Sequence, residues 1–112
     1  MKGCARLFKF RVVEGLEATY AAYLDGPVAA IDAAAHTADV FVDLITVRPQ
    51  NGGAWNHGRL FLFRDHAQRD AFAARMAEAS LAFDGSETAR TQRKAFAESL
   101  RRQIAVSDYD IG

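Results

Sequence analysis

Two runs near the middle of the chain, DVFVDLITVR (Asp39 to Arg48) and HGRLFLFR (His57 to Arg64), constrain the fold more than any other feature. Both are rich in β-branched and aromatic residues, which fit a pleated, half-buried surface. Between them, PQNGGAWN (Pro49 to Asn56) carries an Asn-Gly-Gly core that favours positive φ and a chain reversal. The sequence therefore predicts a β-hairpin. With its turn near Gly52-Gly53, Arg48 faces His57, Thr46 faces Arg59, Leu44 faces Phe61 and Val42 faces Phe63. Asp43 comes near Leu62, with Arg64 diagonally in reach. In that register both faces are apolar: Val42, Leu44, Phe61 and Phe63 on one, Phe41, Ile45, Val47, Leu60 and Leu62 on the other. A one-residue slip would exchange the two sets.

The flanks supply the remaining elements. From Cys4 to Val13, Phe8, Phe10 and Val12 alternate with Lys9 and Arg11, the period of a strand; Arg6 falls on the apolar side. Leu16, Tyr20, Tyr23, Leu24, Val28 and Ile31 recur at helical steps. Asp-Gly-Pro at Asp25 to Pro27 splits that pattern into two helices, with Pro27 opening the second. Asp65 and Gln68 form a capping pair that starts a helix with Phe72, Met76 and Ala79 inward. Gly85 ends it, and Ser86 starts another with Phe96 and Leu100 inward and Arg90, Arg93, Lys94 and Arg101 mainly outward. QIAVSDYDIG reads as a last strand.

The order β-α-β-β-α-α-β predicts one α+β domain over residues 1–112. Its expected architecture is the ferredoxin-like split βαβ, a four-stranded antiparallel sheet with helices on one face. One apolar face of the hairpin can pack on those helices, and the other needs a different cover. A second copy of the sheet is the simplest one, so the sequence predicts a sheet-to-sheet homodimer.

Composition narrows the partners. Fourteen basic residues balance fourteen acidic ones, so no net field draws the chain toward nucleic acid or an anionic membrane. The single cysteine, Cys4, has no internal disulfide partner, which fits a cytoplasmic setting. The amino-terminal MKGCARLFKFRVVEG has charges throughout and reads as neither a signal peptide nor a membrane span. The three histidines fall in different elements without metal-ligand spacing, and no phosphate-loop, dinucleotide or nucleophile-elbow motif occurs. No metal and no cofactor are expected. His36, at the end of the second helix, suits a dipole-capping role, and His66 an exposed first turn.

The element order, the length and the passage GRLFLFRDHAQRDAF (Gly58 to Phe72) resemble dimeric α+β barrel proteins, among them antibiotic-biosynthesis-monooxygenase-like domains and uncharacterised relatives. In that passage a strand runs straight into a helix carrying an inward aromatic, Phe72. The resemblance covers most of Cys4 to Ala79, and the charged helix Ser86 to Arg102 departs from it. It implies a homodimer and one of several chemistries: cofactor-independent oxidation of aromatics, haem degradation, isomerisation or dechlorination. Fold alone does not choose among them.

The candidate catalytic groups are Asp43, His57 and Arg59, with Trp55, Phe61, Phe63 and Tyr20 as ligand-binding walls. His57 could serve as acid, base or haem ligand; the alternative is a solvated histidine beside a tryptophan that caps the sheet. Asp43 and Arg59 interrupt apolar strands and could act as a base and an anion holder, or as an ion-paired Asp43–Arg64 and a snorkelling arginine. The expected function is that of a small cofactor-independent enzyme, of monooxygenase or isomerase type, acting on an apolar or aromatic metabolite. The alternatives are a non-catalytic binder of haem or a hydrophobic ligand, and a structural dimerisation module.

Overall fold

Alternating apolar and basic side chains form β1 (Cys4–Val12), in which Cys4, Phe10 and Val12 are buried. The computed structural model describes residues 3–112; Met1 and Lys2, which begin the amino-terminal stretch read above, lie outside the described residues. After β1 come α1 (Glu17–Tyr23), α2 (Ala29–Thr37), β2 (Asp43–Val47) and β3 (His57–Phe63). Then follow α3 (His66–Asp84), α4 (Glu87–Leu100) and β4 (Arg101–Asp110). The strands make one antiparallel sheet in the order β2-β3-β1-β4. Cα extents of 42 × 39 × 19 Å describe a slab as thick as one sheet and one helix layer.

The hairpin pairs in the predicted register, with Leu44 opposite Phe61 and Thr46 opposite Arg59. Its start differs. Asp39 has φ 62°, a left-handed conformation, and β2 begins only at Asp43. That turn resets the alternation: Phe41 is buried in the core and Val42 is exposed, the reverse of the sides expected for them. Neither Gly52 nor Gly53 has positive φ, so residues 48–56 form a wide loop instead of a tight turn.

Pro27 does not open a second helix. A π-turn at Leu24–Val28 carries the chain through it, and the Ala29 N–H reaches back to the Leu24 carbonyl. Widening the turn relieves the clash a proline ring makes with the carbonyl four residues earlier. On α4, Leu100 is buried but Phe96 is largely exposed, its ring edge against Tyr23 at 5.5 Å. Arg93, expected outside, turns inward to Asp84 (2.9 Å) and to the Tyr23 hydroxyl (2.9 Å). Arg101 also turns inward, as the first residue of β4.

The core has two parts, both on the helix side of the sheet. One joins Cys4, Phe61 and Phe63 to Phe41, Ala35 and Phe72; the other joins Val12 to Tyr20, Tyr23, Ala97 and Leu100. In the first, ring centroids lie 4.6 Å (Phe61–Phe72), 5.1 Å (Phe41–Phe61) and 5.3 Å (Phe63–Phe72) apart. Such pairs each contribute about 0.5–1.5 kcal/mol beyond burial of area.

Buried Gln68 ties this core to the left-handed turn. Its Oε1 accepts from the Arg64 N–H (2.7 Å), and its Nε2 donates to the Asp39 carbonyl (2.9 Å). Its own N–H donates to the Asp65 cap at 2.8 Å. Removing the amide leaves a part-buried donor and acceptor unpaired, so Gln68→Ala is expected to lower stability by about 1–3 kcal/mol in urea unfolding. A loss below about 0.5 kcal/mol, the scatter of ordinary surface substitutions, would show that the clamp contributes nothing.

Candidate functional site

Where β3 begins, the sheet meets α1 without the phenylalanine packing of its centre. His57 is the first residue of β3 and lies on the helix side. Asn56 holds the strand's entry in place: its N–H donates to the Phe10 carbonyl and its Oδ1 accepts from the Val12 N–H, each at 2.9 Å. Above them Tyr20 comes down from α1, its ring 5.2 Å from the imidazole and nearly perpendicular to it. Leu24, in the π-turn, and Arg48, just past β2, complete the walls with Glu17 at the rim. The cavity, open on one side, measures about 160 Å³.

His57 is 5% exposed, and its Nε2 has no hydrogen-bond partner among the described residues. Burial pushes its pKa down from 6.5 to about 4, and Arg48, Arg59 and Arg101 push in the same direction. The imidazole is therefore neutral at neutral pH. Arg101 donates from Nη1 to the Tyr20 hydroxyl oxygen at 2.8 Å, with its guanidinium 3.9 Å from the Phe10 ring centre. With that oxygen accepting from a cation, the Tyr20 proton is free to be donated elsewhere.

The next inward position on β3 is Arg59, which pairs with Asp32 of α2; both side chains are mostly buried. The second oxygen of Asp32, Oδ1, is buried without a partner among the described residues. This pair locks α2 onto the sheet, and losing one member of such a buried pair costs about 3–5 kcal/mol.

Of the seven residues singled out from the sequence, the structure brings His57 and Tyr20 together at the cavity and places Arg59 beside them on the same face. Phe61 and Phe63 lie farther along the strand, each 2% exposed inside the aromatic cluster. They fill the space under the helices and wall no cavity. Asp43 and Trp55 sit on the opposite face of the sheet. Asp43 is exposed, and its Oδ1 accepts from the Leu44 N–H at 2.8 Å; Arg64 pairs with Asp39 and not with Asp43. Trp55 lies over Gly58, with the Lys9 ammonium 5.5 Å from its ring centre. Sequence reasoning did not single out Glu17, Asp32 or Arg101 for the site. Arg48 carried a signal, because the hairpin register already sets it opposite His57.

No protein-family model matches the chain, and no curated protein matches it. Solved structures do. A NIPSNAP-family protein of unknown function from Agrobacterium tumefaciens aligns over 97% of this chain and 86% of its own, with TM-score 0.64 and 10% identity. A dimeric protein of unknown function and ferredoxin-like fold from Bacteroides fragilis aligns over 97% and 96%, with TM-score 0.56 and 13% identity. HapK from Hahella chejuensis aligns over 94% and 89%, with TM-score 0.55 and 14% identity. At these identities the likeness is one of fold, and it defines the class: an α+β protein of ferredoxin-like architecture, with dimeric proteins among its structural neighbours. Among the described residues no helix is long and apolar enough to cross a membrane, and no group of acidic, His or Cys residues could hold a metal ion.

The depressed His57 pKa has a consequence for stability. The unfolded chain binds the proton near pH 6.5 and the folded chain only near pH 4. Stability linked to this group is complete above pH 6.5 and falls as the pH drops toward 4, by up to about 1.4 kcal/mol per pH unit. Urea midpoints for the wild type and His57→Gln should therefore diverge between pH 7 and pH 5, the wild type losing more. Parallel curves would show that the imidazole titrates as if in water.

Proposed function

We propose that this chain is a cofactor-independent enzyme of the isomerase type, working as a homodimer on a small metabolite held between His57 and Tyr20. The observation that carries this reading is a neutral, buried imidazole that lines a cavity beside a phenol whose proton is free. A buried histidine kept neutral near pH 7 can take a proton from a carbon next to a carbonyl and return it to a neighbouring atom. Tyr20, polarised by Arg101, would donate to the carbonyl oxygen as negative charge gathers there. The net change is a proton moved within one substrate, so no redox partner is required.

The cavity's size selects within the expected ligands. At about 160 Å³ it falls below the roughly 300 Å³ at which pockets for drug-sized ligands begin. It suits a fragment-sized metabolite, and a porphyrin does not fit it. The phenylalanines that would line a larger aromatic site are packed against one another.

The homodimer reading rests on the helix-free face. Leu7, Ile45, Val47, Leu60, Leu62 and Tyr109 lie on it, and Ile45 and Tyr109 are more than two-fifths exposed. A second sheet covers such a face without unpaired backbone groups, and dimeric proteins occur among the fold's neighbours.

Two measurements test these parts separately. In deuterium oxide, small carbonyl compounds incubated with the protein should exchange protons next to the carbonyl, followed by proton NMR. His57→Gln should slow that exchange by about 10²–10⁴-fold; equal exchange by both proteins would remove the catalytic reading. Sedimentation at micromolar concentration should show a dimer, and Leu60→Asp a folded monomer. A monomeric wild type would overturn the assembly.

A further inference from the structure

Arg48 is the one cation among the residues that line the cavity, and it has no salt-bridge partner among the described residues. Among the described residues, Arg6, Arg59, Arg64, Arg69, Arg90 and Arg93 each have a carboxylate partner. Arg11 and Arg75 donate to backbone carbonyls, and Arg101 to Tyr20. Arg48 and Arg102 make no such bond among the described residues, and of the two only Arg48 lines the His57 cavity. It is also the first of the three cations that act on the imidazole.

The charge around the cavity does not balance. Arg59 is neutralised by Asp32; Arg48 in the wall stands against the carboxylate of Glu17 at the rim, and Arg101, behind Tyr20 and outside the lining, adds a cation with no carboxylate partner among the described residues. His57 adds no charge at neutral pH. Counted with Arg101, the surroundings of the cavity carry one net positive charge that no carboxylate pairs among the described residues. A monoanion in the cavity would cancel it, and a guanidinium presents the paired donors that match a carboxylate. Arg48 leaves β2 directly opposite the start of β3, so an anion held there lies on the imidazole's own side of the sheet.

We propose that the ligand of this cavity is a small monocarboxylate, held through its carboxylate by Arg48 with its carbonyl end toward His57 and Tyr20. This deepens the enzyme reading above and rests on it. Arg48 is then the specificity-determining residue: it selects the acid over its uncharged counterparts and takes no part in the proton transfer.

The test compares pyruvate and acetoacetate with pyruvamide and acetoacetamide, which keep the carbonyl and the size but lose the charge. Binding is read from NMR shifts of the His57 imidazole during titration. The acids are expected to bind at least about tenfold more tightly than the amides, a difference of about 1.4 kcal/mol. Arg48→Met should abolish that preference while leaving amide binding within about twofold, and Arg48→Lys should restore most of it. Arg102→Met, which removes an unpaired arginine outside the cavity, should change neither. Acids and amides binding equally to the wild type would overturn the carboxylate proposal and leave the cavity reading standing. If no compound of either kind shifts the imidazole, both fall. Unchanged circular dichroism for each variant separates these outcomes from misfolding.

Discussion

The structure depends on a mismatch between a sheet that is apolar on both sides and a helix layer that covers only one. Within the sheet, backbone groups are already paired strand to strand, so each face can gain stability only by burying side chains. The helices take one face, and there the phenylalanines of β1 and β3 meet Phe41 and Phe72. On the other face, Leu7, Val47 and Trp55 close in over Gly58, where an added Cβ would fall within 2.7–3.1 Å of their atoms. The missing side chain lets the indole come close over the strand. A largely apolar surface results, interrupted by Lys9 and Asp43.

The same packing decides where chemistry can happen. Rings only 4.6–5.7 Å apart fill the space around Phe61, although Phe8 and Phe72 also border an open hollow of about 450 Å³ toward β4. Space remains at the end where β3 starts, because there the strand carries His57 instead of another phenylalanine and the helix above carries Tyr20. The π-turn contributes to this end as well. Carrying Pro27 through the helix keeps α1 and α2 on one course, so Tyr20 and Leu24 reach the cavity while Asp32 reaches Arg59.

How much of this was legible in the sequence follows from the range of the interactions involved. The hairpin register was readable, because alternating side chains and a loop of fixed length determine it. The sides of Phe41 and Val42 were not, because they turn on the left-handed Asp39, held by Gln68 and Arg75 from a distant helix. Phe96 and Arg93 were misplaced for a related reason. Helical periodicity marks a face as apolar, but whether that face meets a neighbour depends on Asp84 and Tyr23, remote in sequence. Asp43 and Trp55 drew attention as polar or aromatic residues near His57 in the chain. Strand parity sends Asp43 to the other face, and the indole folds over Gly58 on that same side.

The imidazole itself argues that the cavity end is built for more than packing. A buried polar ring whose Nε2 has no partner among the described residues costs stability, and a phenylalanine in its place would not carry that cost. Phenylalanine occupies the next helix-facing positions but one along the same strand, at Phe61 and Phe63, so the local architecture accepts it readily. Three arginines then surround the histidine, each opposing its protonation. Burial does most to keep the ring neutral near pH 7, and the field of the arginines adds to it. That field also makes the adjoining space attractive to negative charge. A base that stays unprotonated and surroundings that favour an anion both assist enolate formation; burial supplies most of the first, and the guanidinium groups add to it and supply the second.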